Sequence, residues 1–138
     1  MNKLYLARTT TDPKILDELS KDIDFWVRCE VALNSNTTPK TLDYLSRDED
    51  YGVRGRVAYN SNTLLKTLDY LSKDERWHVR SWVARNSNTL PKTLKQMSID
   101  ENHETVKYYI KNNSNCSEET WKYLSALEIL KTLPKVST

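Results

Sequence analysis

The sequence predicts an all-α fold, an α-solenoid of four to five two-helix repeats of about 26 residues, and three observations carry that expectation. The tetrapeptide Asn34-Ser35-Asn36-Thr37 returns 26 residues later at Asn60 and 26 later again at Asn86. Between the copies, apolar residues recur at helical spacing in two separate registers. The 138-residue chain also holds only 2 Gly, fewer than sheets and Gly-rich phosphate loops need for turns with φ > 0.

Each repeat reads as two short helices. The first opens where Thr38 and Pro39 follow the tetrapeptide: the Thr hydroxyl accepts an orphan amide proton at the helix start, and Pro lacks one to satisfy. Its apolar stripe is an i, i+3 pair: Leu16 and Leu19, Leu42 and Leu45, Leu68 and Leu71, Leu94 and Met97, Trp121 and Leu124. A polar link such as Ser46-Arg47-Asp48-Glu49-Asp50 leads to the second helix. There the pairs are i, i+4: Val27 and Val31, Val53 and Val57, Val79 and Val83, Val106 and Ile110. Ala32, Ala58 and Ala84 follow, small enough for neighbouring helices to approach closely. Asn34, Asn60, Asn86 and Asn113 end these helices, and Asn suits the left-handed position that closes a helix.

The pattern degrades at both ends. Arg8-Thr9-Thr10-Thr11 is a worn opening copy. Asn113-Ser114-Asn115-Cys116 comes 27 residues after Asn86, which puts an extra residue between Asp100 and Val106. Lys111 replaces the recurring Ala, and residues 121–133 read as a longer capping helix stopped by Pro134. The repeats run over residues 6–30, 31–56, 57–82, 83–109 and 110–135 of a single domain, 1–138. Neither helix type is long enough to persist alone, so stacking must bury the apolar faces.

The unit Val53-Arg54-x-x-Val57-Ala58-x-Asn60-Ser61-Asn62-Thr63, and Val79 through Pro91 with it, resembles the leucine-rich repeat variant family, a distant relative of HEAT repeats. The resemblance covers roughly residues 6 to 125. It implies a right-handed superhelix of α- and 3₁₀-type helices, no shared activity and no catalytic residue. Asp22 and Arg28, Asp48 and Arg54, Asp74 and Arg80, then Asp100 and Lys107, resemble the Asp–Arg ladder of HEAT-like repeats. As ladder rungs these groups are structural. The alternative makes the basic members a phosphate-binding row, but each arrives with its own acid.

Composition narrows function further. Twenty-one basic and 19 acidic residues give a net charge of +2, which does not describe a surface built throughout for nucleic acid. Cys29 and Cys116 are isolated thiols that fit a reducing compartment. The first residues lack the apolar run of a signal peptide, no stretch is long enough to cross a membrane, and the expected location is cytoplasmic. The Asn-, Lys- and Tyr-rich composition fits an AT-rich genome and a bacterial or phage source. His78 and His103 have no nucleophile or ligand at a meaningful spacing, so no enzyme, metal or cofactor is expected.

Partner-binding residues are expected where the copies disagree, on second helices that line a concave side. The candidates are Trp26, Arg56, Tyr59, His78, Trp82, Arg85, Tyr108 and Tyr109. Trp, Tyr and Arg are the types most enriched in binding hot spots. Packing between repeats is the competing reading for Trp82 and Tyr59, and the expected one for Phe25, Tyr51 and Trp77, whose aromatic character recurs. Asp17, Asp43 and Asp69, with Tyr44, Tyr70 and Tyr123, are expected on a solvated convex face. The leading expectation is a non-enzymatic scaffold, adaptor or inhibitor that holds or masks a partner protein through the concave face. The alternative is nucleic-acid binding by Arg54, Arg56, Arg76, Arg80 and Arg85, interleaved with Trp77, Trp82 and Tyr59.

Overall fold

The computed structural model describes residues 2–136. Among them are ten α-helices and no strand: α1 (Lys3–Thr9), α2 (Pro13–Leu19), α3 (Phe25–Leu33), α4 (Pro39–Leu45), α5 (Tyr51–Tyr59), α6 (Leu65–Leu71), α7 (Trp77–Arg85), α8 (Pro91–Asp100), α9 (Glu104–Asn112) and α10 (Glu118–Thr132). All are α, so the 3₁₀ helices implied by the resemblance are not found here. Thr38 and Asp12 cap α4 and α2 ahead of a first-turn Pro, whereas Leu64 and Leu90 give α6 and α8 no side-chain cap. Helices this short stand only because they are packed. α1 packs on α3, α3 on α5, α5 on α7 and α7 on α9, and α2, α4, α6 and α8 each pack on the helix that follows in sequence. The two predicted apolar registers are buried, and Ala32, Ala58 and Ala84 are fully so. Trp121 is the exception at 47% exposure, with Lys111 Nζ 4.8 Å over its ring.

The asparagines end their helices by a different device from the one expected. Asn34 has φ −67° and ψ 125°, the other three are alike, and no described residue has positive φ. Each side chain instead spans two copies. Asn60 Nδ2 donates to Ala32 O at 2.8 Å and Asn34 O at 3.1 Å, while its Oδ1 accepts from Asn62 N at 2.9 Å. Asn86 and Asn113 repeat these bonds one copy on. These bonds satisfy the carbonyls left free at a helix C-terminus, which an extended turn without Gly otherwise strands. Thr37, Thr63 and Thr89 add to this, each hydroxyl donating to the carbonyl of Val31, Val57 or Val83 at 2.6–2.7 Å.

The arginines form rungs. Arg28 Nε and Nη2 grip the Asp48 carboxylate of the next copy at 2.7 and 3.0 Å, and Nη1 donates to Asp22 O at 2.8 Å in its own copy. Arg54 treats Asp74 and Asp48 O in the same way. The third rung departs from the sequence reading, which put Asp100, set against Lys107, in the ladder: the acid that joins it is Glu101, bonded by Arg80 at 2.7 and 2.9 Å. Helix α8 keeps step through Met97 and Ser98, then runs on through Asp100, so the extra residue lies before Glu101. The longer Glu side chain then reaches Arg80. Burial alone would raise the Glu101 carboxyl, but bonds from Arg80 and from His103 N hold it below its ordinary value. Lys107 ends the series, pairing only with Glu104 of its own helix.

A third ladder joins the shorter helices. Thr41 Oγ1 donates to Asp17, Thr67 to Asp43 and Thr93 to Asp69, at 3.0, 2.7 and 3.4 Å. These aspartates therefore hold neighbouring copies together, where the sequence reading gave them only a solvated face.

Candidate binding groove

Both glycines of the chain, Gly52 and Gly55, lie on α5 one turn apart, so they remove side chains from one face of that helix. A groove of about 520 Å³ opens above them, walled by Leu33, Tyr51, Tyr59, His78 and Trp82, with Arg56 beside the floor. Corresponding positions in other copies are filled: Trp26 and His78 match Gly52, and Cys29 and Ser81 match Gly55. Glycine inside a helix costs roughly 0.5–1 kcal/mol relative to Ala.

The two glycines differ in what the fold asks of them. A Cβ on Gly55 would come within 3.3 Å of Trp82 Cδ1, so Gly55 lets the indole lie down on α5. A Cβ on Gly52 would come within 2.8 Å of Asp50 Oδ1, the carboxylate that caps α5. Asp24 caps α3 by the same bond to Trp26 N, and there a full side chain is accommodated. The cap therefore does not require glycine at position 52.

Aromatic contacts knit the walls. Tyr59 meets Trp82 edge-on at 5.2 Å, and Tyr51 tilts against His78 at 5.5 Å. Three arginines lie along this face. Arg56 Nη1 donates to Gly52 O at 3.0 Å, Arg76 sits 5.4 Å over Tyr51, and Arg85 sits 4.3 Å over Trp82 and 4.7 Å over Tyr109. A second hollow, of about 320 Å³, continues from the groove past Tyr59 and Trp82 to Arg85 and the Asn86 turn.

Of the sequence-predicted residues, Arg56, Tyr59, His78 and Trp82 come together in the groove and Arg85 adjoins it. Trp82 and Arg56 are half-buried, so inter-copy packing and an open face are combined in one residue. Tyr109 joins through Arg85, and Tyr108 lies exposed against it at 5.4 Å. Trp26 stands apart, exposed on α3 beside Phe25. Phe25, at 37% exposure, lies against Trp26 with ring centroids 4.6 Å apart. Trp77 does bridge copies, lying between His78 at 3.8 Å and His103 at 3.9 Å. Sequence reasoning left Gly52, Gly55, Leu33 and Tyr51 out of the candidate site and named Arg76 only for the nucleic-acid alternative. Two glycines in a chain otherwise free of them, three apart on one helix, were the available signal.

Arg54 and Arg80 are spent in rungs, their guanidiniums held fully charged by the carboxylates they bond. Among the described residues, no group of three or more His, Cys, Asp or Glu is placed to hold a metal ion, and no helix is long and apolar enough to cross a membrane. Burial pushes both thiols, Cys29 and Cys116, up from their ordinary value, away from the reactive thiolate. Compared with known protein families, with curated proteins and with solved structures, the chain finds no match.

Proposed function

We propose that the chain is a right-handed α-solenoid of the leucine-rich repeat variant or HEAT-like kind, with α1, α3, α5, α7 and α9 lining its concave side. Its role is that of a non-enzymatic scaffold, adaptor or inhibitor, acting in the cytoplasm, that holds or masks a partner protein across that side. The observation that carries this reading is the groove over Gly52 and Gly55, the one place where the copies remove side chains and surround the gap with Tyr, Trp and Arg. A rigid stack presents such a surface already formed, which lowers the ordering cost of binding.

Nucleic-acid binding is the second reading, and the arginines over Tyr51 and Trp82 favour it. Two facts weigh against it. Arg54 and Arg80 are neutralised by Asp74 and Glu101. The rings best suited to stack on bases are also engaged, Trp77 by two histidines and Trp82 by Arg85 and Tyr59.

The test is affinity capture from the source lysate beside a mobility-shift assay on DNA and RNA at low salt. Tyr59→Ala with Arg85→Glu is expected to lose a captured protein while circular dichroism stays unchanged. A captured set that is identical for this variant, or a salt-sensitive shift of nucleic acid that it abolishes, overturns the protein-binding reading.

A further inference from the structure

Unpaired cations elsewhere, such as Lys14, Lys40, Lys66 and Lys92, recur from copy to copy, whereas those of the groove face do not. Arg56, Arg76 and Arg85 are in no ion pair among the described residues. Asp50 is committed to the start of α5, where Oδ1 accepts from Gly52 N and Val53 N, and Glu30, one copy before Arg56 in the same register, is held by Arg8. Glu49 and Glu75, next in sequence to the rungs, line separate hollows with Arg47 and Lys73, away from the groove. Three cations thus face this surface beside carboxylates that are already engaged.

The shape is equally specific. Trp82 already covers Gly55, and the bare backbone at Gly52 beside that indole leaves room for the face of a flat ring, with Leu33, Tyr51 and Tyr59 as apolar walls. At about 520 Å³ the groove has room for a large side chain together with its backbone. The adjoining hollow extends the path toward Arg85, which fits an extended chain better than a compact ligand.

We propose that the groove at Gly52 and Gly55 binds an extended acidic peptide segment of the partner, one aromatic side chain lying over Gly52 against Trp82 and flanking carboxylates meeting Arg56, Arg76 and Arg85. This rests on the protein-binding reading above and names the chemistry of the partner. Aromatic burial supplies most of the affinity, and the arginines set specificity and the rate of encounter.

Fluorescence anisotropy with short labelled peptides tests it. The probes carry one central Trp, Phe or Tyr flanked by Asp and Glu; the controls have the same centre flanked by Lys, and an oligothymidylate is included. Acidic peptides are expected to bind and Lys-flanked ones not to. Gly52→Trp installs the residue that α3 holds in this register, so it fills the groove with a side chain the repeat accommodates; it is expected to weaken binding by about tenfold or more. Should that variant fail to fold, Gly52→His, the residue of α7, takes its place. Arg56→Glu with Arg85→Glu is expected to cause a similar loss. Equal binding of acidic and Lys-flanked peptides overturns the proposal, as does full binding by the groove-filled variant or a preference for oligothymidylate. If lysate capture depends on Tyr59 and Arg85 while no acidic peptide binds, this chemistry falls and the protein-binding reading stands. If capture is also indifferent to those residues, both fall.

Discussion

Helices α5 and α7 contribute to two surfaces that follow opposite rules. On the rung edge, Arg54 and Arg80 each meet a carboxylate of the next copy and a carbonyl of their own, and the arrangement repeats with little change. On the groove face, Arg56 and Arg85 meet no carboxylate, and the same register carries Glu30, Arg56, Trp82 and Tyr109 in successive copies. The rung edge joins copies, so its chemistry is constrained by the neighbour and must recur. The groove face also joins copies, as Tyr59 with Trp82 and Arg85 with Tyr109, but through contacts that ask for no fixed residue type, so its residues diverge. Repetition in this chain marks what holds it together, and divergence marks the face proposed for a partner.

The sharpest way to break that contrast is to remove charge from each surface in turn. Asp74→Ala strands the largely buried Arg54 guanidinium and is expected to cost about 3–5 kcal/mol in urea unfolding. Arg85→Ala is expected to stay within about 0.5–1 kcal/mol, the scale of an exposed cation over a ring. Comparable losses from the two would erase the distinction.

Acid offers a second, smaller test. The Glu101 carboxyl is held below its ordinary value in the folded chain, so its stabilising contribution is complete above its unfolded value and is lost as pH falls through the folded one. Asp17, Asp22 and Glu104 are also lowered, so the whole chain loses stability on acidification. Glu101→Gln is expected to be less stable at neutral pH and to show a shallower acid loss, read from unfolding midpoints across a pH series. An unchanged pH slope would remove Glu101 from the rungs.

A third test concerns the Asn-Thr turn. Thr63→Val keeps the shape but deletes the 2.6 Å bond to Val57 O, at a cost of about 1–2 kcal/mol. The fourth copy makes a natural comparison, because Cys116 stands in that register and its thiol reaches only Ser117 O at 3.6 Å. Cys116→Thr is therefore expected to raise stability, and a loss would show that this end of the chain is built differently.

The sequence reached far into the fold because helical periodicity is local. Leu42 and Leu45 three apart, and Val53 and Val57 four apart, fix which face is apolar wherever the helix ends up. The candidate residues Arg56, Tyr59, His78 and Trp82 were also legible, since disagreement among aligned copies needs no coordinates. The Asn turn was not. Asn is compatible with both a left-handed closing residue and a side chain that reaches into the preceding copy, and only the position of Ala32 O and Asn34 O decides between them. The third rung escaped for a similar reason: Asp100 and Glu101 are adjacent acids, and the extra turn of α8 selects the second.

By itself, then, the sequence determined the helices, their two apolar registers, the 26-residue step and which positions diverge, because each follows from spacing along one chain. The tertiary structure alone decided which polar atoms meet across copies, which arginines are neutralised and which stay free, and that Gly52 and Gly55 open a groove. Those depend on distances between residues some 20 to 30 apart in sequence, as with Arg54 and Asp74 or Asn60 and Ala32, and side-chain reach and packing set them where periodicity cannot.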